Sequence, residues 1–153
     1  MIGSHDLLSV LLAVILGGAI GAEREISGKA AGLRTNVLIC LGAAVFTIIS
    51  KQMAVGTAEG SVTRIAAQIV TGVGFLGAGA IIQDQGGVHG LTTAATIWLV
   101  ASIGMACGAH LYHLAAIATV AALIVLAVLG KLAKPLERYG ARHKLRNPPH
   151  QPD

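Results

Sequence analysis

Apolar residues run along this chain in long blocks, with the charged residues gathered at the block edges. Sixteen uncharged residues lie between Asp6 and Glu23, and a second uncharged run lies between Arg34 and Lys51. A third extends from Ile65 to Gln83, and a fourth from Gln85 to Gly130, interrupted only by histidines. About 20 residues of helix cross the hydrocarbon of a bilayer. The fourth run is long enough for two spans, divided near Gly108-Ala109-His110. The pattern predicts five helices, at 5–25, 34–54, 64–83, 91–108 and 111–132, in an all-α transmembrane bundle. The first two are short between their charges. Those charges are therefore expected at the interface or turned into the bundle.

Composition strengthens the membrane assignment. The chain has 153 residues, of which 54% are hydrophobic and 12% charged, against roughly 25% charged in a soluble domain. No Lys or Arg precedes the first helix and further spans follow it, so it is not expected to be a cleaved signal. Cys40 and Cys107 fall inside spans, at no metal or disulfide spacing, and read as small packing residues.

Charge then sets an orientation. Of the eleven Lys and Arg residues, Arg24, Lys29 and Arg34 flank the first loop. Lys131, Lys134, Arg138, Arg142, Lys144 and Arg146 follow the last helix, leaving Lys51 and Arg64 for the second loop. Five spans bring the first loop, the third loop and the C-terminus to one side. The positive-inside rule makes that side cytoplasmic and puts the N-terminus outside. Residues 1–132 are thus expected to form the membrane domain and 133–153 a basic cytoplasmic tail. The tail's charge suits anionic lipid or a docking partner; no nucleic-acid partner is expected.

The segments "GKAAGLRT" and "GGVHGLTT" both read G-x-x-x-G-L-x-T, 58 residues apart. The same offset aligns Gly21-Ala22 with Gly79-Ala80 and Leu41 with Leu99. It points to a parallel repeat of two helical hairpins, with a pseudo-axis along the membrane normal.

The run "TGVGFLGAGA" contains a formal GxGxxG match. A dinucleotide fingerprint must follow a strand and open a soluble helix, whereas this one sits inside an uncharged block. No cofactor is expected. The glycines are read instead as helix-packing residues, since small residues let membrane helices approach closely. Gly72 and Gly79 share one helix face, and Gly74 and Gly77 lie on a broadly opposite one. Small residues on two faces predict a central third helix. Gly17 and Gly21 play the same part in the first.

Ionisable groups inside a bilayer are costly and mark function or pairing. Glu23, Arg24, Glu25, Arg34, Thr35 and Asn36 lie at the ends of the first hairpin. Two readings stand: a network in which Arg24 or Arg34 neutralises Glu23 or Glu25, or plain interfacial charges. Arg64 and Gln68 share the Gly72 face, with Asp6 as a candidate partner for Arg64. Thr92, Thr93 and Thr96 open the fourth helix, and a threonine is the expected acceptor for the indole of Trp98. Glu23, Glu25 and Asp84, set among cations, do not make an all-protein magnesium site. His110 and His113 lack a third ligand nearby, so no metal site is expected. No nucleophile and base pair is found either, so no catalytic residue and no enzyme are expected.

At these residues the chain resembles the MgtC/SapB family of bacterial inner-membrane proteins. The resembling segments are "GGAIGAERE", "AGLRTNVLICLGAAVFTI", "RIAAQIVTGVGFLGAGAII" and "GLTTAATIW". The resemblance implies a five-helix membrane domain and places Glu23, Arg24, Arg34, Thr35, Arg64, Gln68, Thr92 and Thr93 on the family's polar motifs. It also implies links to growth in low magnesium, to survival of pathogens in macrophages and to restraint of the F-type ATP synthase. Many members carry a soluble C-terminal domain of the ACT type. This chain ends about 20 residues past its last helix, so functions needing that domain are not expected of it. The expectation is a non-enzymatic membrane protein that modulates a membrane partner or ion homeostasis, with self-association as another form of partnership. The alternative is a transporter or channel with its path at the repeat interface.

Overall fold

The computed structural model describes residues 3–54, 60–84 and 87–130, with the backbone alone over 60–65. The chain forms α1 (Ser4–Ile26), α2 (Leu33–Met53), α3 (Gly60–Gly79), α4 (Leu91–Gly108) and α5 (Tyr112–Ile124). One π-helical turn, Val125–Leu129, continues α5. Among the described residues, four segments are long and apolar enough to cross a membrane: Ser4–Ile26, Leu33–Met53, Leu91–Gly108 and Tyr112–Leu129. The apolar part of α3 is shorter, Ala66–Gly79. Leu11, Ile15, Leu38, Phe46, Ile117 and Val120 all project outward. Side chains of that kind are stable on an outer surface only against lipid or another protein. The fold is a polytopic bundle of five helices.

Two boundaries differ from expectation. The third helix stops at Gly79 instead of continuing to residue 83. There the chain enters a short antiparallel ribbon, β1 (Ile82–Asp84) and β2 (Gly87–His89), with Gln83 opposite Val88. An uncharged run fixes neither period nor length, and Ile81, Ile82 and Val88 suit a strand. The expected end of the last helix, 131–132, and the basic tail, 133–153, lie outside the described residues.

The centre of the bundle also moves. The central helix is α4, which packs on α1, α2, α3 and α5, whereas α3 packs chiefly on α4 and α2 at the edge. Ten residues of α4 are buried, from Thr93 to Gly108. A helix that is apolar all round belongs inside. The closest approach is the parallel pair α2 and α4. A Cβ on Gly104 would overlap the carbonyl oxygen of Cys40, and one on Gly108 that of Ala44. Antiparallel α1 closes on α2 in the same way. A Cβ on Gly17 would come within 2.6 Å of Cys40 Cβ, and one on Gly21 within 2.8 Å of Leu33 Cα.

Gly32 and Gly90 are the N-cap residues of α2 and α4, so the repeat offset of 58 recurs in the element boundaries. The hairpins pack differently, however. A Cβ on Gly77 would lie 3.6 Å from the Ala94 carbonyl oxygen, but one on Gly72, Gly74 or Gly79 would meet nothing within 4 Å. Among the described residues, the close packing expected at these three positions is therefore absent. Helical spacing gives a shared face; it does not say whether a neighbour covers that face. Trp98 likewise points outward, 53% exposed, with no threonine acceptor among the described residues.

Candidate functional site

The polar groups of the chain divide between the two ends of the bundle. At one end α1 finishes in Glu23-Arg24-Glu25. Arg24 continues the buried stripe of Gly17 and Gly21 and is itself 3% exposed. A buried guanidinium needs a partner, and it finds one beside it. Its Nε and Nη2 both donate to the Glu23 carboxylate, Nη2 to Oε1 at 2.8 Å. Ser27 Oγ donates to the same Oε1 at 2.8 Å. Glu23 thus holds three donors.

Glu25 does something else. Gly32 offers no side chain to cap α2, and the Glu25 carboxylate takes that role: Oε2 accepts the Leu33 N–H at 2.9 Å. A carboxylate at a helix N-terminus meets both an orphan donor and the positive end of the dipole. A Cβ on Gly32 would overlap that carboxylate. The glycine is what lets the last turn of α1 cap the first turn of α2.

Asn36 lies fully buried one turn further on. Its Nδ2 donates to the Ala31 and Gly32 carbonyls at 2.7 and 2.8 Å. Its Oδ1 accepts no hydrogen bond from the described residues. Arg34 and Thr35 are exposed on the same turn, as is Thr92 on the first turn of α4. Thr93 and Thr96 are buried, and Thr96 Oγ donates to the Thr92 carbonyl at 2.8 Å. This end therefore joins Glu23 to Arg24 and Glu25 to α2, and leaves Arg34 apart from both carboxylates. The Arg64 side chain lies outside the described residues. Gln68 is exposed and lines an apolar groove of about 490 Å³ between α2 and α3, with Leu38, Gly42, Phe46, Gly72 and Leu76.

The opposite end holds a cluster that sequence reasoning did not assemble. Asp6 Oδ2 accepts the Gly3 N–H at 3.0 Å, and Gln52 Nε2 stands 3.4 Å from the same oxygen. Asp6 Oδ1 lies 3.2 Å from His110 Nε2, and His110 Nδ1 lies 3.2 Å from Lys51 Nζ. The described side-chain partners of Asp6 are thus His110 and Gln52; the side chain of Arg64, its expected partner, lies outside the described residues. Beside them, Tyr112 donates its hydroxyl hydrogen to the His5 carbonyl at 2.9 Å, with Ser9 Oγ 3.1 Å away. A signal was present: alternating spans bring residues 6, 51 and 110 to one end. No group of three or more His, Cys, Asp or Glu side chains able to hold a metal ion occurs among the described residues.

A sequence profile described as "MgtC family" matches residues 10–135, over four-fifths of the chain. The chain belongs to the MgtC family. It is 47% identical over 113 residues to Protein MgtC of Brucella abortus (strain 2308), covering 74% of this chain and 46% of that protein. It is 52% identical over 102 residues to Protein MgtC of Salmonella typhimurium (strain LT2), covering 67% and 42%. It is 49% identical over 113 residues to YhiD of Escherichia coli (strain K12), whose name carries a magnesium-transporter designation, covering 71% and 53%. The chain spans about half the length of the curated relatives it matches. No solved structure matches it. Both pairings of the Glu23 end, and the cap on α2, lie within the matched segment. Asp6 lies before it.

Proposed function

We propose that this MgtC-family chain is a non-enzymatic, multi-pass protein of the bacterial inner membrane that serves magnesium or ion homeostasis by modulating a membrane partner. The observation that carries this reading is the internal engagement of both carboxylates at the Glu23 end. Glu23 is held by Arg24 and Ser27, and Glu25 caps α2. A magnesium path needs oxygen ligands that can exchange with hydration water. Carboxylates tied to a guanidinium and a helix end serve a fixed shape better than a moving ion. Magnesium itself enters through the designation of YhiD and through the family resemblance. The same resemblance makes the F-type ATP synthase the first partner to test, and growth in low magnesium and virulence the phenotypes to follow. The Lys and Arg distribution supports an N-terminus outside and a cytoplasmic C-terminus.

Transport is the second reading, favoured by the YhiD designation. The α2–α3 groove does little for it, because among the described residues Gln68 is its one polar lining residue.

Purified chain in proteoliposomes loaded with a magnesium-sensitive dye separates the two. The expected result is no flux above protein-free vesicles, together with capture of a stable membrane partner from native membranes. A magnesium flux abolished by Glu25→Gln would sink the modulator reading and establish the transporter.

A further inference from the structure

Three side chains from three helix ends stand in a row at the Asp6 end: Lys51, His110 and Asp6. Lys51 Nζ is 3.2 Å from His110 Nδ1, and His110 Nε2 is 3.2 Å from Asp6 Oδ1. An ammonium group has hydrogens to give and no lone pair to accept with. His110 Nδ1 must therefore be the acceptor. The ring is then neutral, with its hydrogen on Nε2, and donates to Asp6.

The row ties parts of the chain that nothing in sequence holds together. Asp6 sits in the first turn of α1 and is anchored there by the Gly3 N–H. Lys51 sits in the last turn of α2. His110 makes the turn from α4 to α5, with φ of 65°, the one positive-φ non-glycine residue among those described. Such a backbone is uncommon for a residue with a Cβ, and here it aims the imidazole at both neighbours. Two more groups face the ring: His5 of α1, with ring centroids 5.8 Å apart, and Tyr112 of α5, at 5.9 Å. The titratable groups around His110 among the described residues are thus Asp6 and His5 from α1, Lys51 from α2 and Tyr112 from α5. The side chain of α4 that comes nearest in sequence, Cys107, is buried in the core.

We propose that this row is a proton-operated clasp: a proton taken up at His110 Nδ1 turns its hydrogen bond with Lys51 into a contact between two cations and releases the end of α2 from the α4–α5 turn. The proton comes from solvent and adds to the imidazole lone pair; no other bond changes. Histidine is the side chain whose charge changes between about pH 5 and 8. The neighbours respond in opposite senses. The Asp6 contact strengthens, because Nε2–H still donates and the ring now carries positive charge. The Lys51 contact fails, because neither group retains an acceptor. So α1 stays docked on the turn and α2 lets go. Gln52, at 3.4 Å from Asp6, still links that end of α2 to α1. The clasp stands whether the chain modulates a partner or carries an ion.

Spin labels at Met53→Cys and Leu111→Cys, both at exposed positions, read the separation in the full chain in nanodiscs. The native Cys40 and Cys107 are buried, and the chain without added cysteines, taken through the same labelling, serves as the blank. From about pH 8 to about pH 5 the distance distribution is expected to shift longer. His110→Asn should abolish the shift, since Asn tolerates the left-handed backbone and takes up no proton. Lys51→Met should abolish it too, by removing the second cation, and carries the test alone where the His110 variant does not fold. A fixed distance across that range in the native background overturns the proposal. So does a shift of undiminished size in a folded variant of either residue.

Discussion

Among the glycines inside the described helices, Gly104 and Gly108 are the residues whose replacement this fold can least absorb. A methyl group at either would have to enter the carbonyl oxygen of Cys40 or Ala44, and backbone atoms in the middle of a helix cannot swing aside. Overpacking a core typically costs about 1–3 kcal/mol. Gly104→Ala is therefore expected to lower the melting temperature in detergent clearly. Gly72→Ala and Gly79→Ala should leave it unchanged or raise it. Their Cβ would meet open space, and alanine favours a helix over glycine by about 1 kcal/mol. The contrast marks where sequence reading stops at this scale. All four glycines sit in apolar blocks at helical spacings, and nothing local tells a covered face from an open one. Arg24 is the opposite case. Its place on the stripe of Gly17 and Gly21 is legible from a 100° period, and its pairing with Glu23 follows from the cost of burying a bare charge. The Lys51–His110–Asp6 row was legible only as three polar residues at one end, because the register of three helix termini decides which of them touch.

Among the elements, the start of α4 is the most tightly specified. Gly90 has φ of 86°, and a Cβ there would also overlap the Ala80 carbonyl oxygen. Conformation and space both require glycine at that position. Gly90→Ala is expected to fray the first turn of α4 and loosen the β1–β2 ribbon. Hydrogen exchange should then quicken at Leu91–Ala94 while α1 and α2 keep their protection. Substituting its counterpart Gly32, where φ is negative, should disturb only the Glu25 cap. The repeat was legible in sequence because loop motifs carry backbone geometry in their glycines. The ribbon was not, because the uncharged run as far as Gln83 reads equally as the end of a helix.

At the scale of the molecule, the count of five helices was legible from charge spacing, since charged residues mark where the hydrocarbon ends. The arrangement around α4 was not, because it depends on which apolar face finds a partner. Reporter fusions after Met53 should be active only outside the cytoplasm, and fusions after Gly130 only within it. The reverse pattern would place the basic residues on the wrong side and overturn the proposed topology. Both reporters need only the spans to insert, so they test orientation independently of function.

The glycine seam between α2 and α4 also fixes an order of events. Helices packed this closely, α2 against both α4 and α1, separate last, whereas the described part of α3 buries only Ile69, Val73 and Gly77 and α5 only Ala115, Thr119 and Ala122. Local opening follows such differences in contact density. Unfolding should therefore begin at the edge helices α3 and α5, and α1, α2 and α4 should form the last surviving unit. A pulling experiment from the C-terminus that released α4 before α3 would contradict this, unless the order simply followed the chain; pulling from both ends in turn distinguishes sequence order from strength of attachment.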